Sequence, residues 1–279
     1  ETLEFSFSMP PVLIGGLLVL LSGRIMAGGA GAIAGAAEKM VPVSAGIYMA
    51  ASAAVLFLFR ENIPSAFGMI FQDAFSFRSA AGGAVGLLAS KSVQYGIARG
   101  VFSNEAGLGS AAIAAACADT EDPLRQGLIS MTGVFFDTLV ICTLTGLAIC
   151  CSGVLGAADA AGIPLTGAAL TLRAFETVLS RGARWLIGAS LGLFAFTSVL
   201  GCALQGEVSA VYLLGAGTVR PIRLFYCSAV LIGALVPMKT VLALADLSNV
   251  LMALPNLVCL LLLSGEIAAD CRSFLRKKV

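Results

Sequence analysis

One segment sets a group of polar residues inside an otherwise apolar stretch. It is Gln94-Tyr-Gly-Ile-Ala-Arg-Gly-Val-Phe-Ser-Asn-Glu-Ala-Gly-Leu-Gly-Ser110, with Arg99, Ser103, Asn104, Glu105 and four glycines. Glycine weakens a helix, and Ser and Asn compete with the helical ladder and prefer its caps. The composition therefore predicts a helix that unwinds near Gly100 to Ser103 and restarts at about Asn104. A restarted helix presents free N–H groups and a positive dipole end, which suit a carboxylate. Irregular backbone at membrane depth survives only where protein or a water-filled cavity covers it. A surface loop between two short spans is the competing reading, and the apolar flanks favour the buried break. Arg99 and Glu105 can pair across that break or touch a ligand, because ionisable groups at this depth need partners or water. Gly107, Gly109 and Ser110 form a smooth face for close helix packing, with a backbone contact to a ligand at Gly107 as the alternative.

Two further places offer oxygen ligands. Thr197 and Ser198 are adjacent hydroxyls in Phe194-Ala-Phe-Thr-Ser-Val-Leu-Gly-Cys-Ala-Leu-Gln-Gly-Glu207. Each can bond back to a carbonyl one turn earlier, or the pair can help hold a small hard cation, which prefers oxygen ligands. Asp137 stands in Gly133-Val-Phe-Phe-Asp-Thr138, with Thr143 and Thr145 one to two turns on. A lone carboxylate there must face the bundle interior. It serves either as a packing anchor or as a ligand for an ion or the broken helix.

The elements that position these residues follow from composition. Of 279 residues, 58% are hydrophobic and 12% charged, and mean hydropathy is +0.97. An ordinary soluble domain is about 25% charged, so a soluble or disordered chain is excluded. The net charge of +1 gives no field that would attract nucleic acid. There is no His, which removes imidazole metal ligands, bases and proton relays. The eight Cys lie mostly in apolar runs without a CxxC pair and read as small apolar fillers. No nucleophile–base spacing suggests an enzyme.

The chain thus reads as an all-α, polytopic membrane bundle forming a single transmembrane domain over 1–279. A helical span takes about 20 residues, and the apolar runs place spans at about 9–32, 43–59, 80–118 (the broken one), 126–151, 185–205, 224–236 and 247–263. Arg60 to Ser79 and Leu170 to Leu179 read as amphipathic, interfacial stretches. Glu38 to Pro42 reads as a connection, Glu207, Arg220 and Arg223 as a loop, and Lys239 with Asp246 as a turn. Basic residues set the orientation. Arg24, Lys39, Arg125, Arg220, Arg223, Arg272, Arg276, Lys277 and Lys278 lie on the tail side, against Arg60, Arg78, Arg173, Arg181, Arg184 and Lys239 opposite. This modest bias puts the C-terminus inside. A start at Glu1 with the apolar run beginning at Pro11 reads as the interior of a longer protein.

Several motifs share one order and spacing. They are Arg99-Gly-Val-Phe-Ser-Asn-Glu-Ala-Gly-Leu-Gly-Ser110, Pro123-Leu-Arg-Gln-Gly127, Gly133-Val-Phe-Phe-Asp-Thr138 with Cys142-Thr143, and Leu193-Phe-Ala-Phe-Thr-Ser198 with Gly206-Glu207. Ala245-Asp246 with Asn249, and Met252-Ala-Leu-Pro-Asn256, complete the set. Across nearly its whole length the sequence resembles the alanine/glycine:cation symporters, also called sodium:alanine symporters. The resemblance implies a leucine-transporter-like core of ten helices in two inverted halves. This chain would hold helices four to ten, with helix six broken near residues 99–104. The first three core helices, with the family's other broken helix, have no counterpart here.

The resemblance further implies a multi-pass protein of the cell membrane that carries a small neutral amino acid, alanine or glycine, by sodium-coupled symport. Sodium would be the coupling ion, with no cofactor. Phe102, Ser103, Asn104 and Gly107 would line the substrate pocket beside Ser198 and Cys202. Thr197, Ser198 and Asp137 would hold sodium. The sequence departs from the family at three places: Cys202 stands where the family usually has Trp, Ala203-Leu204-Gln205 replaces a Tyr pair, and Ala112 replaces a Pro. Loss of the indole enlarges the pocket and opens it to a bulkier substrate. A passive channel, or an inactive fragment of such a transporter, is the alternative.

Overall fold

The computed structural model describes residues 9–75, 83–105, 107–120, 122–159, 162, 164–179 and 182–277. Regular structure among them is helical, apart from an isolated bridge between Ala158 and Pro164.

Helix α1 runs Pro11–Ala27 and α2 runs Gly29–Leu58. Pro11 opens α1 at a position whose N–H would have no helical partner. The turn between them falls at Gly28–Gly29, ahead of the Glu38 to Pro42 stretch where the sequence places a connection. Gly29 has φ +73°, and a Cβ on Gly28 would come 2.6 Å from that of Ala32. Pro42 lies inside α2. Prolines persist in apolar helices where side chains and neighbours satisfy the freed carbonyls. The carbonyl that Pro42 frees is that of Glu38; Ser44 Oγ, just beyond, donates instead to the carbonyls of Met40 at 2.9 Å and Val41 at 3.1 Å.

A short 3-10 turn at Arg60–Asn62 leads into α3, Ile63–Phe75. The third apolar region yields α4, Gly83–Asn104, and the short α5, Ser110–Ala116. Helix α6, Pro123–Val134, starts at Asp122, whose carboxylate accepts the N–H groups of Leu124 and Arg125. This is an N-cap followed by proline at the first helical position. The helix continues through a π-helical segment, Phe135–Cys142, into α7, Thr143–Cys151. Asn62 Nδ2 closes the end of α7 by donating to the Cys151 carbonyl at 2.9 Å.

Helix α8 is Gly167–Leu179, α9 is Gly182–Leu214 and α10 is Val219–Leu235. Gly215, at φ +87°, separates the last two. Glu207, Arg220 and Arg223 therefore sit inside helices and not in a loop. The extended Val236, restricted by the following proline, ends α10. Helix α11, Met238–Lys277, absorbs both Lys239 and Asp246, so the expected turn there is helix.

By length and composition, Gly29–Leu58, Pro123–Cys151, Trp185–Leu214, Ala216–Leu235 and Met238–Phe274 are each able to cross a membrane. With several such helices the protein is a multi-pass membrane protein. Pro11–Ala27 is apolar but shorter, at 17 residues. Residues 76–79 of the first amphipathic segment lie outside the described residues. So do Arg78, Arg181 and Lys278 of the charge count.

Contacts group the chain into two compact units, each made of two separate stretches. The first comprises Glu1–Phe77 with Val140–Val236, the second Arg78–Leu139 with Pro237–Val279. The first unit packs α2, α7, α8 and α9 around Tyr48, Val55, Ala148, Leu172, Phe175 and Ile187. The Tyr48 and Phe175 rings meet at a tilt of 56°, with centroids 5.4 Å apart. Thr145 Oγ1 donates to the Ile141 carbonyl, so its 2.7 Å contact with Tyr48 is a bond donated by the phenol. A second cluster joins Met26 and Ile33 to Phe196, Leu200 and Ala203 of α9. Helices α1 and α10 approach closely at Gly15, where a Cβ would meet that of Ala234 at 3.0 Å. Small residues permit this approach where apolar surroundings give little drive to associate. In the second unit, α11 packs on α4 and α6.

Candidate functional site

In the second unit α4 remains helical through Asn104, beyond the residues where the sequence places its unwinding. The break falls at residues 105–109. Glu105 has φ 51°, and Gly107 and Gly109 have φ +79° and +88°. Ser110 then restarts the helix as α5. The displacement has a physical cause, because Ser103 and Asn104 do not act as caps. Asn104 Nδ2 donates back across its own turn to the Gly100 carbonyl at 2.9 Å. Ser103 Oγ donates outward to Asp137 Oδ2 at 3.0 Å. The reversal uses the left-handed backbone that glycine adopts without a steric penalty. Ser110 Oγ donates to Glu105 Oε2 at 2.6 Å. A carboxylate of the chain itself thus lies at the restart, where the sequence suggests room for a ligand's.

Thr138 adds a second link by donating its hydroxyl to Asn104 Oδ1. Both Asp137 and Thr138 lie in the π-helical segment. A π turn changes the register of the helical ladder, and such turns are frequent at functional sites. Here two consecutive residues of one helix reach two consecutive residues at the end of another. The result is a cluster of hard oxygens: the Asp137 carboxylate, the Ser103 and Thr138 hydroxyls and the Asn104 amide oxygen. Each retains lone pairs beyond the bonds named. Asp137 and Ser103 are exposed within the chain, and Asn104 is half-buried.

Arg99 pairs with Asp246 of α11 rather than with Glu105. Its guanidinium also lies over the ring of Phe102, 5.5 Å from the centroid. Gly107 sits in the break, where a Cβ would make only ordinary contact with Leu257, at 3.5 Å. Gly109 is tighter, since a Cβ would come 3.0 Å from Asn256 Oδ1.

In the first unit, Thr197 Oγ1 and Ser198 Oγ both donate to the Phe194 carbonyl, at 2.9 and 3.1 Å. Their protons are committed to the helix, while their lone pairs can still face a cation. Cys202 lies one turn beyond Ser198, and both are exposed within the chain. Nearby, Tyr226 of α10 donates to the Val199 carbonyl at 2.7 Å. Arg223 of α10 grips Glu207 of α9 through two bonds of 2.6 and 2.8 Å.

The expected residues therefore fall into two groups. Phe102, Ser103, Asn104, Gly107 and Asp137 belong to the second unit, and Ser103, Asn104 and Asp137 are brought into one bonded cluster. Thr197, Ser198 and Cys202 lie along α9 of the first. Sequence reasoning had not joined Thr138, Asp246 or Asn256 to the site. Asp246 carried a usable signal, since a carboxylate within a long apolar helix requires a partner. Among the described residues no group of three or more His, Cys, Asp or Glu side chains is placed to hold a metal.

Comparison with known proteins gives a coherent result. The profile described as the sodium:alanine symporter family matches residues 1–279. An uncharacterized transporter of Haemophilus influenzae is 40% identical over 99% of this chain and 60% of its own length. The sodium/alanine symporter AgcS of Methanococcus maripaludis is 38% identical over 98% of this chain and 59% of its own. The probable sodium/glutamine symporter GlnT of Bacillus subtilis is 34% identical over 99% and 56%. The chain thus spans somewhat more than half the length of these relatives.

Proposed function

Because the chain belongs to the sodium:alanine symporter family, we propose that it serves sodium-coupled symport of a small neutral amino acid, alanine or glycine, across the cell membrane. Transport proceeds by alternating access around a site near the broken helix, with no covalent step. The observation that carries this reading is the end of α4. Immediately before the backbone break, Ser103 and Asn104 are held by Asp137 and Thr138 of a π-helical turn. Broken helices at membrane depth mark substrate and ion sites in secondary transporters.

In this reading Phe102, Ser103, Asn104 and Gly107 of the second unit have substrate-lining roles, and the family resemblance gives the same role to Ser198 and Cys202 of the first. The resemblance gives sodium-ligand roles to Thr197 and Ser198 of the first unit and to Asp137 of the second. Ion and amino acid then bind cooperatively, because each completes the surroundings of the other. The small side chain at Cys202 leaves room for a substrate larger than alanine, which suits a family with a probable glutamine symporter among its members. The same reading gives the chain core helices four to ten of a leucine-transporter-like inverted repeat, with its C-terminus in the cytoplasm.

The test is uptake of labelled alanine, glycine and glutamine into proteoliposomes that carry the protein expressed at the full length of its gene. Saturable uptake that collapses when choline replaces Na⁺ at constant pH is expected. Asn104→Ala should abolish it. Sodium-independent uptake would remove the coupling, and undiminished uptake by N104A would remove the pocket.

A further inference from the structure

Asp246 lies on α11, outside the set of residues read as lining the substrate pocket or holding sodium. Its partner Arg99 lies three residues before Phe102 on α4, so the two α4 side chains share one helix face. Arg99 makes two contacts from that position. Its guanidinium pairs with the Asp246 carboxylate and lies over the Phe102 ring, 5.5 Å from the centroid. The three side chains form a relay within one unit: a carboxylate on α11, a planar cation, and an aromatic ring on α4.

The chemistry of each member gives the relay a direction. A guanidinium is planar and always charged, so it can offer N–H groups to a carboxylate at its edge while its face rests on an aromatic ring. Arg is long and flexible, and without a fixed anion its head would seek other acceptors or water. Asp246 supplies the fixed anion from a different helix. The pair is only partly covered, with side chains 38% and 46% exposed, and Phe102 is 44% exposed. Within the chain the relay is therefore only partly covered, which leaves the ring accessible to a ligand.

We propose that Asp246 is a specificity-positioning residue: acting through Arg99, it holds the Phe102 ring as a fixed wall of the substrate pocket and so limits substrate size. The inference rests on the substrate-pocket reading of Phe102. It predicts that loosening the relay changes discrimination between small and large amino acids, and that uptake of both need not be lost. A clamp between α4 and α11 with no effect on the ring would instead alter both substrates alike.

The experiment compares D246N, D246E and R99K with the parent protein, each at the full length of its gene in proteoliposomes. Competition of L-alanine and L-glutamine for labelled alanine uptake is measured. A partly exposed cation–π contact is worth about 0.5–1 kcal/mol, so D246N should shift the alanine-to-glutamine preference toward glutamine by about two- to fivefold. D246E should restore the parental ratio. R99K, which keeps the charge but loses the planar face, should shift the ratio as D246N does. An unchanged ratio in D246N, with parental uptake intact, overturns the proposal.

A second readout does not require transport. In a background with Trp185, the one Trp of these 279 residues, and any further Trp of the full-length protein replaced by Phe, F102W places the sole indole at the ring position. Adding D246N should raise acrylamide quenching of that indole by about twofold or more, as a contact of this size is lost. Unchanged quenching also overturns the proposal. If the parent protein shows no sodium-dependent uptake but quenching rises, the pocket reading fails while the relay stands.

Discussion

Thr138 decides which way the Asn104 amide faces. Its hydroxyl donates to Asn104 Oδ1, while Asn104 Nδ2 donates to the Gly100 carbonyl at 2.9 Å. The two bonds leave one amide N–H and one oxygen lone pair in a fixed direction. If Asn104 touches substrate, that preorientation lowers the cost of binding. Thr138→Val keeps nearly the same shape and removes only the donor. Loss of one such bond is worth about 1 kcal/mol, so KM for uptake should rise about fivefold. The maximal rate and the yield of folded protein should change little. Uptake kinetics at saturating sodium make the check, and an unaltered KM would show that the amide needs no such support.

At the scale of elements, the break between α4 and α5 is the feature to probe. Local propensity places the unwinding at Gly100 to Ser103, yet the helix persists to Asn104. Gly100 has open space where a Cβ would be, whereas Gly109 combines φ +88° with Asn256 Oδ1 at 3.0 Å. Gly100→Ala should therefore be neutral, or stabilising by up to about 1 kcal/mol, as for glycine in any helix interior. Gly109→Ala should cost about 1–3 kcal/mol through its left-handed backbone and the crowding at Asn256. The thermal unfolding midpoint of the purified protein in detergent compares the two. Equal midpoints would return the break to the earlier position.

The same comparison shows what was legible in the sequence. The polar interruption and its glycines announced that a break exists, because those preferences are local. Its position was not legible, because Ser103 is drawn outward by Asp137, which lies 34 residues away. Asp246 could be recognised as a charge within an apolar run, in need of a partner. Its partner Arg99, 147 residues distant, could not be identified from spacing. Hydropathy likewise located the apolar spans but put the first connection at Pro42. Pro42 costs the helix one N–H, and in an apolar helix packed among neighbours that loss does not end it.

At the scale of the whole molecule, each compact unit is assembled from two distant stretches of chain. The core of the first unit joins Tyr48, Val55 and Ala148 to Leu172, Phe175 and Ile187, and Ser190 Oγ donates to the Ser44 carbonyl at 2.8 Å. The second unit joins Arg99 to Asp246 and seats Gly109 against Asn256. The connection from α7 to α8 runs between the partners in every one of these contacts. A protease site inserted between Leu155 and Gly156, where Leu155 is 50% exposed, therefore cuts the chain without cutting either unit's packing. In detergent there is little apolar drive to keep two helical fragments together, so association must come from packing and hydrogen bonds. After complete cleavage the two pieces should co-elute in size-exclusion chromatography in mild detergent, with an unfolding midpoint within a few degrees of the uncut protein's. Separation of the pieces under those conditions would mean that the long-range contacts of both units are too weak to hold the fold, and that the intact connection does so instead.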